Sequence, residues 1–292
     1  MTSREAGYVY TVTGDVRFLE EAAESAWSLR RHHPEADVTL VTDIPAGERA
    51  SGAVDVFDQV VRPASAGGEG GGQAPSWKHN LLFKIRHSFE SSPYRRTFFL
   101  DTDTRFLRSC ADLFHLLDHF DLCLSHAPND LETVRGHDSD LSSYTPYNTG
   151  VMLFRKNERT GELFRRWHRI YREEFDDYPY GQPAFMAALL ECESCIRSYT
   201  LQPTMNFRTP YNERLLGPVR ILHGRPERPE RVAEEVNRTH ENRVWLARLG
   251  VVVPLRMTVR EQLRLMRKLA VQVVFTFKES LERAFSGVRS GE

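Results

Sequence analysis

The sequence predicts an α/β fold: a doubly wound, mostly parallel sheet with helices on both faces, followed by a helical extension at the carboxyl end. From position 8 onward, runs rich in β-branched and aromatic residues alternate with apolar residues at helical spacing. The run 97–100 holds no charge and reads as a strand buried on both faces, the habit of parallel sheets. The 292 residues suffice for one large α/β domain with an appendage, or for two small domains.

Taken in order, residues 8–13 form a first strand closed by Gly14 and Asp15, and 18–31 follow as a helix. Residues 37–42 give a second strand ending at Asp43, and 54–61 contain a third. That succession predicts parallel strands joined by crossovers. Positions 64–74, rich in glycine, cannot pack; they form either a lid at the carboxyl edge of the sheet or a plain surface insertion. A helix over 77–89 turns Leu81, Leu82, Ile85 and Phe89 inward, carries Lys78 and Lys84 among its polar positions, and feeds the run 97–100. Then come a helix over 107–119, a short strand over 122–125, a polar irregular stretch over 130–147 and an apolar strand over 147–154. Helical spacing returns at 163–175 and 183–190, the second opened by Pro183 as a first turn favours. A last short strand at 219–222 runs into His223, Gly224, Arg225 and Pro226. Beyond that only helix is expected, so the domains divide as 1–228 and 229–292. Thr258 and Glu261 are spaced as a capping box, and Val259, Leu263, Met266, Leu269, Val273, Phe277, Leu281 and Phe285 continue one apolar face.

Composition excludes several partners. Lys and Arg number 39 against 40 Asp and Glu, so no overall field draws nucleic acid, and anion recognition must be local. Among four cysteines only Cys192 and Cys195 have suggestive spacing, and a single such pair is a poor zinc site. No apolar signal region opens the chain and no apolar run reaches spanning length. The expected setting is therefore cytoplasmic and reducing, which leaves the sequon at Asn237 without meaning. Basic residues outnumber acidic ones on the terminal helix. It packs on its own domain or on a second subunit, or lies peripherally on the anionic inner face of a membrane.

The chemistry centres on Asp101 and Asp103. Two carboxylates leaving a buried strand together can share a hard divalent cation whose remaining positions go to substrate phosphates. The same pair can also merely open a polar turn. Strand ends are where open α/β sheets place their ligands.

Four segments in order give these acids a context: Lys84 in the preceding helix, Phe98-Phe-Leu-Asp101-Thr-Asp103, Tyr147-Asn148-Thr-Gly150-Val-Met-Leu-Phe154, and Gly181-Gln182-Pro-Ala-Phe185; His223-Gly224 follows them. Over residues 8–228 the chain resembles the nucleotide-sugar glycosyltransferases of the GT-A fold, most closely family 8 of the glycogenin and galactosyltransferase type. The resemblance implies that Asp101, Asp103 and His223 hold Mn2+ or Mg2+ against the donor diphosphate, with Lys84 and Arg225 adding fixed positive charge. It implies donor contacts from Thr11, Thr13, Asp43 and Thr102, and places Asn148 and Gln182 beside the donor sugar and its reacting carbon. The implied reaction moves a hexose from a UDP-linked donor to a hydroxyl of a glycan, glycolipid or small molecule, with retention of configuration.

The pattern departs from the family at two places. Gly181 stands where family 8 has Asp, leaving Asp130, Asp138 and Asp140 as substitute carboxylates, and Gly224 follows His223 directly in a contracted terminal motif. The acids are also similar to those of haloacid dehalogenase-type phosphatases, but Arg105 and the late position of the motif disfavour that reading. Residues 11–15 lack the glycine-rich, Arg-containing loop of sugar nucleotidyltransferases. A non-catalytic sugar-nucleotide-binding domain stays open because of Gly181.

Overall fold

A computed structural model describes residues 4–48, 52–63, 76–127, 145–192 and 196–256, with scattered positions from 258 to 270. The chain forms two compact units, one of Met1–Arg208 with Val219–Arg225, the other of Thr209–Pro218 with Pro226–Glu292.

The first unit runs β1 (Arg4–Val12), α1 (Val16–His32), β2 (Val38–Thr42), β3 (Gln59–Val61), α2 (Ser76–Glu90), β4 (Tyr94–Leu100), β5 (Thr104–Phe106), β6 (Leu122–His126) and β7 (Tyr147–Arg155). It continues with α3 (Glu158–Glu174), α4 (Gln182–Glu191), β8 (Ser198–Leu201) and β9 (Phe207–Arg208). After β10 (Glu213–Leu215), which belongs to the second unit, β11 (Ile221–His223) returns to the first. A seven-stranded sheet has the order β3-β2-β1-β4-β7-β6-β8, with only β7 antiparallel to its neighbours. This is the mixed, mostly parallel α/β architecture that the sequence predicts.

Strand alternation divides the core into two layers. Tyr8, Tyr10, Val12 and Phe98 pack with Leu19, Ala22 and Leu29 of α1. Val9, Phe99 and Met152 pack on the other face with Leu82 and Ile85 of α2, Trp167 of α3 and Phe185 of α4. Tyr8 stacks on Phe98 across the β1–β4 pair at 5.3 Å, and Trp167 meets Phe185 edge-on at 5.0 Å. Truncating Trp167 to Ala would remove about 3–5 kcal/mol, the usual loss for a fully buried indole.

The structure departs from expectation in short elements. The stretch expected as one helix over 107–119 is a 3-10 segment at Ala111–Asp118, preceded by the three-residue β5. β5 pairs antiparallel with β11, and β11 pairs parallel with β9. Three-residue strands carry too little periodicity to be read from sequence.

In the second unit, α5 (Pro229–Val236) is followed by β12 (Arg243–Leu246) and β13 (Val251–Pro254), in an antiparallel sheet of order β10-β12-β13. The all-helical reading from 229 is corrected by this hairpin, and residues 209–218 group with the second unit. Arg243 and Trp245 are the buried positions of β12. The Arg243 guanidinium donates to the carbonyls of Val236, Gly217 and Glu241, so a charged residue occupies an inward position and hides the alternation. Burial lowers its pKa.

Residues 64–74, Asp130, Asp138, Asp140 and Cys195 lie outside the described residues, as do Val259, Leu269, Val273, Phe277, Leu281 and Phe285. Cys110, Cys123 and Cys192 are buried, and burial pushes the thiols of Cys110 and Cys123 up to about 12. Among the described residues no helix is long and apolar enough to cross a membrane.

Candidate metal and donor site

β1 and β4 flank the point where the strand order turns, the place where an open sheet binds ligands. As β4 ends, the Asp101 amide donates to the Gly150 carbonyl of β7 at 2.7 Å. The Asp101 carbonyl accepts from the Thr104 hydroxyl at 2.8 Å. That bond orients a buried relay: the Ser25 hydroxyl donates to Thr104 at 2.8 Å, and the Tyr10 hydroxyl donates to Ser25 at 2.9 Å. The turn between the two acids is thereby tied to α1 and to the centre of the sheet. β5 pairing sets His223 opposite Thr104, and the Gly224 amide donates to the Asp103 carbonyl at 2.9 Å. Local pairing thus brings residues 120 positions apart in sequence to one place, as 223 − 103 shows.

One ligand atom from each of Asp101, Asp103 and His223 lies within 4.8 Å of the others. His223 Nε2 is 3.2 Å from Asp103 Oδ1 and 3.8 Å from Asp101 Oδ2. Lys84 Nζ stands 2.6 Å from Asp101 Oδ1, and Arg225 Nη1 3.1 Å from Asp103 Oδ2. Glu21 on α1 holds Arg225 through Nε at 2.6 Å and Nη2 at 2.8 Å, and accepts from the Thr102 hydroxyl at 2.5 Å. Burial opposes ionisation of Asp103, but the hydrogen bond and charge that His223 supplies when its ring is protonated, with the charges of Arg225 and Arg208, outweigh it. The Asp103 carboxyl stays well below the usual range.

Two hard carboxylates and one imidazole fit a divalent cation such as Mn2+ or Mg2+. Space agrees with this chemistry. A Cβ on Gly150 would lie 2.3 Å from His223 Cε1 and 2.5 Å from Asp101 Oδ2, so only glycine lets β7 approach these two ligands.

Thr13 and Asp43, at the ends of β1 and β2, form a second cluster. The Thr13 hydroxyl donates to Asp43 Oδ2 at 2.5 Å, and His79 Nε2 of α2 lies 3.0 Å from Thr13 Oγ1 and 3.2 Å from Asp43 Oδ2. Thr11 is half-buried within β1. His79 escaped the sequence reading because a lone histidine at a helix start carries no signal of its own.

Asn148 is buried, and its Oδ1 accepts from the Gly150 amide and from Asn206 Nδ2, both at 2.9 Å. Its acceptor is therefore committed to the fold. Asn206, which nothing in the sequence singled out, also meets His223 Nδ1 at 2.7 Å. Gln182 is half-buried in the first turn of α4, and none of the hydrogen bonds described for the metal cluster reaches it. Beside it, the Gly181 carbonyl accepts from the Trp167 indole at 2.9 Å. A Cβ there would meet Leu81 Cδ1 at 3.1 Å and the indole at 3.3 Å. The missing family aspartate is thus a position filled by packing.

The sheet order, with the acid pair and the distal histidine beside its switch point, is that of the GT-A fold. More narrowly, residues 96–201, which hold β4, the acid pair, β7 and Gln182, match the family described as nucleotide-diphospho-sugar transferase. The structure is similar to that of mouse xyloside xylosyltransferase 1, at 15% identity and TM-score 0.52, over 76% of this chain and 98% of that one. It is also similar to the galactosyltransferase LgtC in complex with donor and acceptor sugar analogues, at 16% identity and TM-score 0.49, over 74% and 86% of the two chains. These likenesses are of fold. A comparison with curated proteins gives no match. The transferase match sets aside the phosphatase alternative, whose motif also belongs on a first strand and not on β4.

Proposed function

We propose that this protein transfers a hexose from a UDP-linked donor to a hydroxyl of a glycan, glycolipid or small-molecule acceptor, in a reaction that depends on Mn2+ or Mg2+. The observation that carries the reading is the convergence of Asp101, Asp103 and His223 within 4.8 Å at the end of β4. When bound, the cation supplies positive charge for the diphosphate as it leaves. Asp101 and Asp103 would hold it through carboxylate oxygens, His223 through Nε2. Lys84 adds a point charge at the same place, and so does Arg225, whose fork is held by Glu21. Thr13 and Asp43, with Thr11 and Thr102, would bind the nucleoside end of the donor, and Gln182 would offer a neutral amide to the sugar.

The test is UDP release from a panel of UDP-sugars with Mn2+, with and without chelator. Release that ignores chelator sinks the metal role. Saturable UDP-sugar binding with no release supports the second reading, a donor-binding domain without transfer, which the filled Gly181 position favours. Retention would appear as a product anomer matching the donor by proton NMR.

The same reading includes a cytoplasmic protein whose terminal segment meets an anionic inner membrane surface or a second copy of the chain. Leu263 and Met266, three residues apart, are 56% and 66% exposed, a pair that such a contact would cover. Co-sedimentation with phosphatidylserine vesicles and the solution mass separate the two partners.

A further inference from the structure

We infer that Asn206 is a positioning residue that fixes the proton of His223 on Nδ1 and so reserves Nε2 for the cation; this rests on the metal reading above. One atom of fixed role anchors the chain of hydrogen bonds. The main-chain amide of Gly150 can only donate, and it meets one side-chain atom of Asn148 at 2.9 Å, so that atom is Oδ1. An amide atom of Asn206 lies 2.9 Å from the same oxygen and must be the donor Nδ2. The other amide atom of Asn206 is then Oδ1, an acceptor, and it lies 2.7 Å from His223 Nδ1. Nδ1 therefore carries hydrogen. Each orientation follows from the one before, so the tautomer is dictated by a backbone amide three hydrogen bonds away.

Burial makes this assignment strict. Asn148, Asn206 and His223 are 2%, 3% and 3% exposed, so water is a poor substitute for any partner in the chain. The fold holds Asn206 in place from both sides. Its amide donates to the Pro203 carbonyl at 3.1 Å, closing the 3-10 turn Pro203–Met205, and the next residue opens β9, which pairs Phe207 with Leu222 and Arg208 with His223.

The consequence falls on the opposite ring nitrogen. With Nδ1 committed, Nε2 points at Asp103 Oδ1 and Asp101 Oδ2. In the neutral ring Nε2 is a bare lone pair facing two carboxylates, an arrangement that a shared cation turns from repulsive to attractive. In the imidazolium both nitrogens are donors, and Nδ1 keeps its bond to Asn206. A partner that orients a ligating histidine in this manner typically contributes 10–100-fold in metal affinity, on the order seen for such outer contacts.

The experiment reads the tautomer directly. Protein labelled with 15N-histidine, metal-free and at a pH where the ring is neutral, is compared by long-range 1H–15N NMR with Asn206→Leu and Asn206→Asp, and Mn2+ affinity is measured by EPR titration. The wild type should show the Nδ1–H pattern, opposite to the preference of free histidine. Asn206→Leu should switch to Nε2–H and bind Mn2+ about 10–100-fold more weakly. Asn206→Asp keeps an acceptor toward Nδ1, so it should keep the Nδ1–H pattern; this arm stands if the leucine variant fails to fold. An Nε2–H pattern in the wild type overturns the inference, as does loss of the Nδ1–H pattern in folded Asn206→Asp, or unchanged tautomer and affinity in folded Asn206→Leu. Wild-type protein with the Nδ1–H pattern that binds no Mn2+ supports the tautomer assignment and overturns the metal reading.

Discussion

His223 and His79 both meet a carboxylate at the carboxyl edge of the seven-stranded sheet, yet their surroundings differ in kind. His223 is buried, with Nδ1 on Asn206 and Nε2 facing both Asp101 and Asp103. His79 has a third of its side chain exposed, and its Nε2 meets one carboxylate that the Thr13 hydroxyl already partners. The first cluster gathers three carboxylates, Glu21, Asp101 and Asp103, with Lys84 and Arg225, and the charge of Arg208 also reaches Asp103. The second sets one carboxylate among hydrogen-bond donors. Two carboxylates converging on one buried imidazole nitrogen form a ligand set that a divalent cation can take. A carboxylate already supplied with donors is complete, and suits a neutral group such as a base or ribose edge.

The strongest way to break this contrast is to remove one acid from each cluster. Asp103→Ala should abolish Mn2+ binding and lower kcat by about 10²–10³-fold, the scale of losing an electrostatic group at developing charge, with circular dichroism unchanged. Asp43→Ala should raise the donor KM and leave Mn2+ affinity where it was. Equal loss of Mn2+ affinity in the two variants would erase the distinction. Gly150→Ala comes next in size. Its Cβ would stand 2.3 Å from the His223 ring, so His223 or β7 must shift. A stability loss of about 1–3 kcal/mol by thermal unfolding is expected, together with weaker Mn2+ binding. A variant that folds and binds Mn2+ like the wild type would show that close approach of β7 is not what shapes the site.

The same contrast explains what the sequence could disclose. Asp101 and Asp103 are legible because a charge-free strand ends in two acids, and β1, β2, β4 and β7 because their residues are apolar or β-branched over most of their length. Gly150 is legible as part of a motif, but its reason is steric and appears only with His223 beside it. Asn206 and His79 are single polar residues whose partners come from other elements, Asn206 from β7 and β11, His79 from β1 and β2. Arg225 was expected as a phosphate contact from its place after His223, whereas its fork is held by Glu21, a helix residue that no local pattern marks. β5, β9 and β12 went unread for a related reason: short strands are set by the partner they pair with and not by their own residues. Arg243, buried among carbonyls, shows how one satisfied charge can disguise a strand.

A smaller perturbation asks whether the glycine at 181 is a lost catalytic group or a packing position. Gly181→Asp would place its Cβ 3.1 Å from Leu81 Cδ1 and 3.3 Å from the Trp167 indole, tight contacts that a slight shift can relieve. The expected outcome is a loss of about 1–2 kcal/mol in thermal unfolding with no gain in transfer rate. A rate gain would mean that the carboxylate reaches the sugar and that the packing is incidental.

The smallest effect is a pH dependence that belongs to the metal cluster. Asp103 is 14% exposed, and its carboxyl lies well below the ordinary value of 3.8 although burial pushes the other way. A carboxyl depressed in the folded state contributes stability that is complete above its unfolded value and is lost as pH falls through the folded one. Metal-free protein should therefore lose Tm more steeply below about pH 4 than Asp103→Asn does, since the amide has no proton to take up. Above that range the two Tm curves should run parallel. Curves that stay parallel into acid would mean that the charges of His223, Arg225 and Arg208 do not hold Asp103 ionised, and the account of the cluster as one balanced by its cations would lose its thermodynamic support.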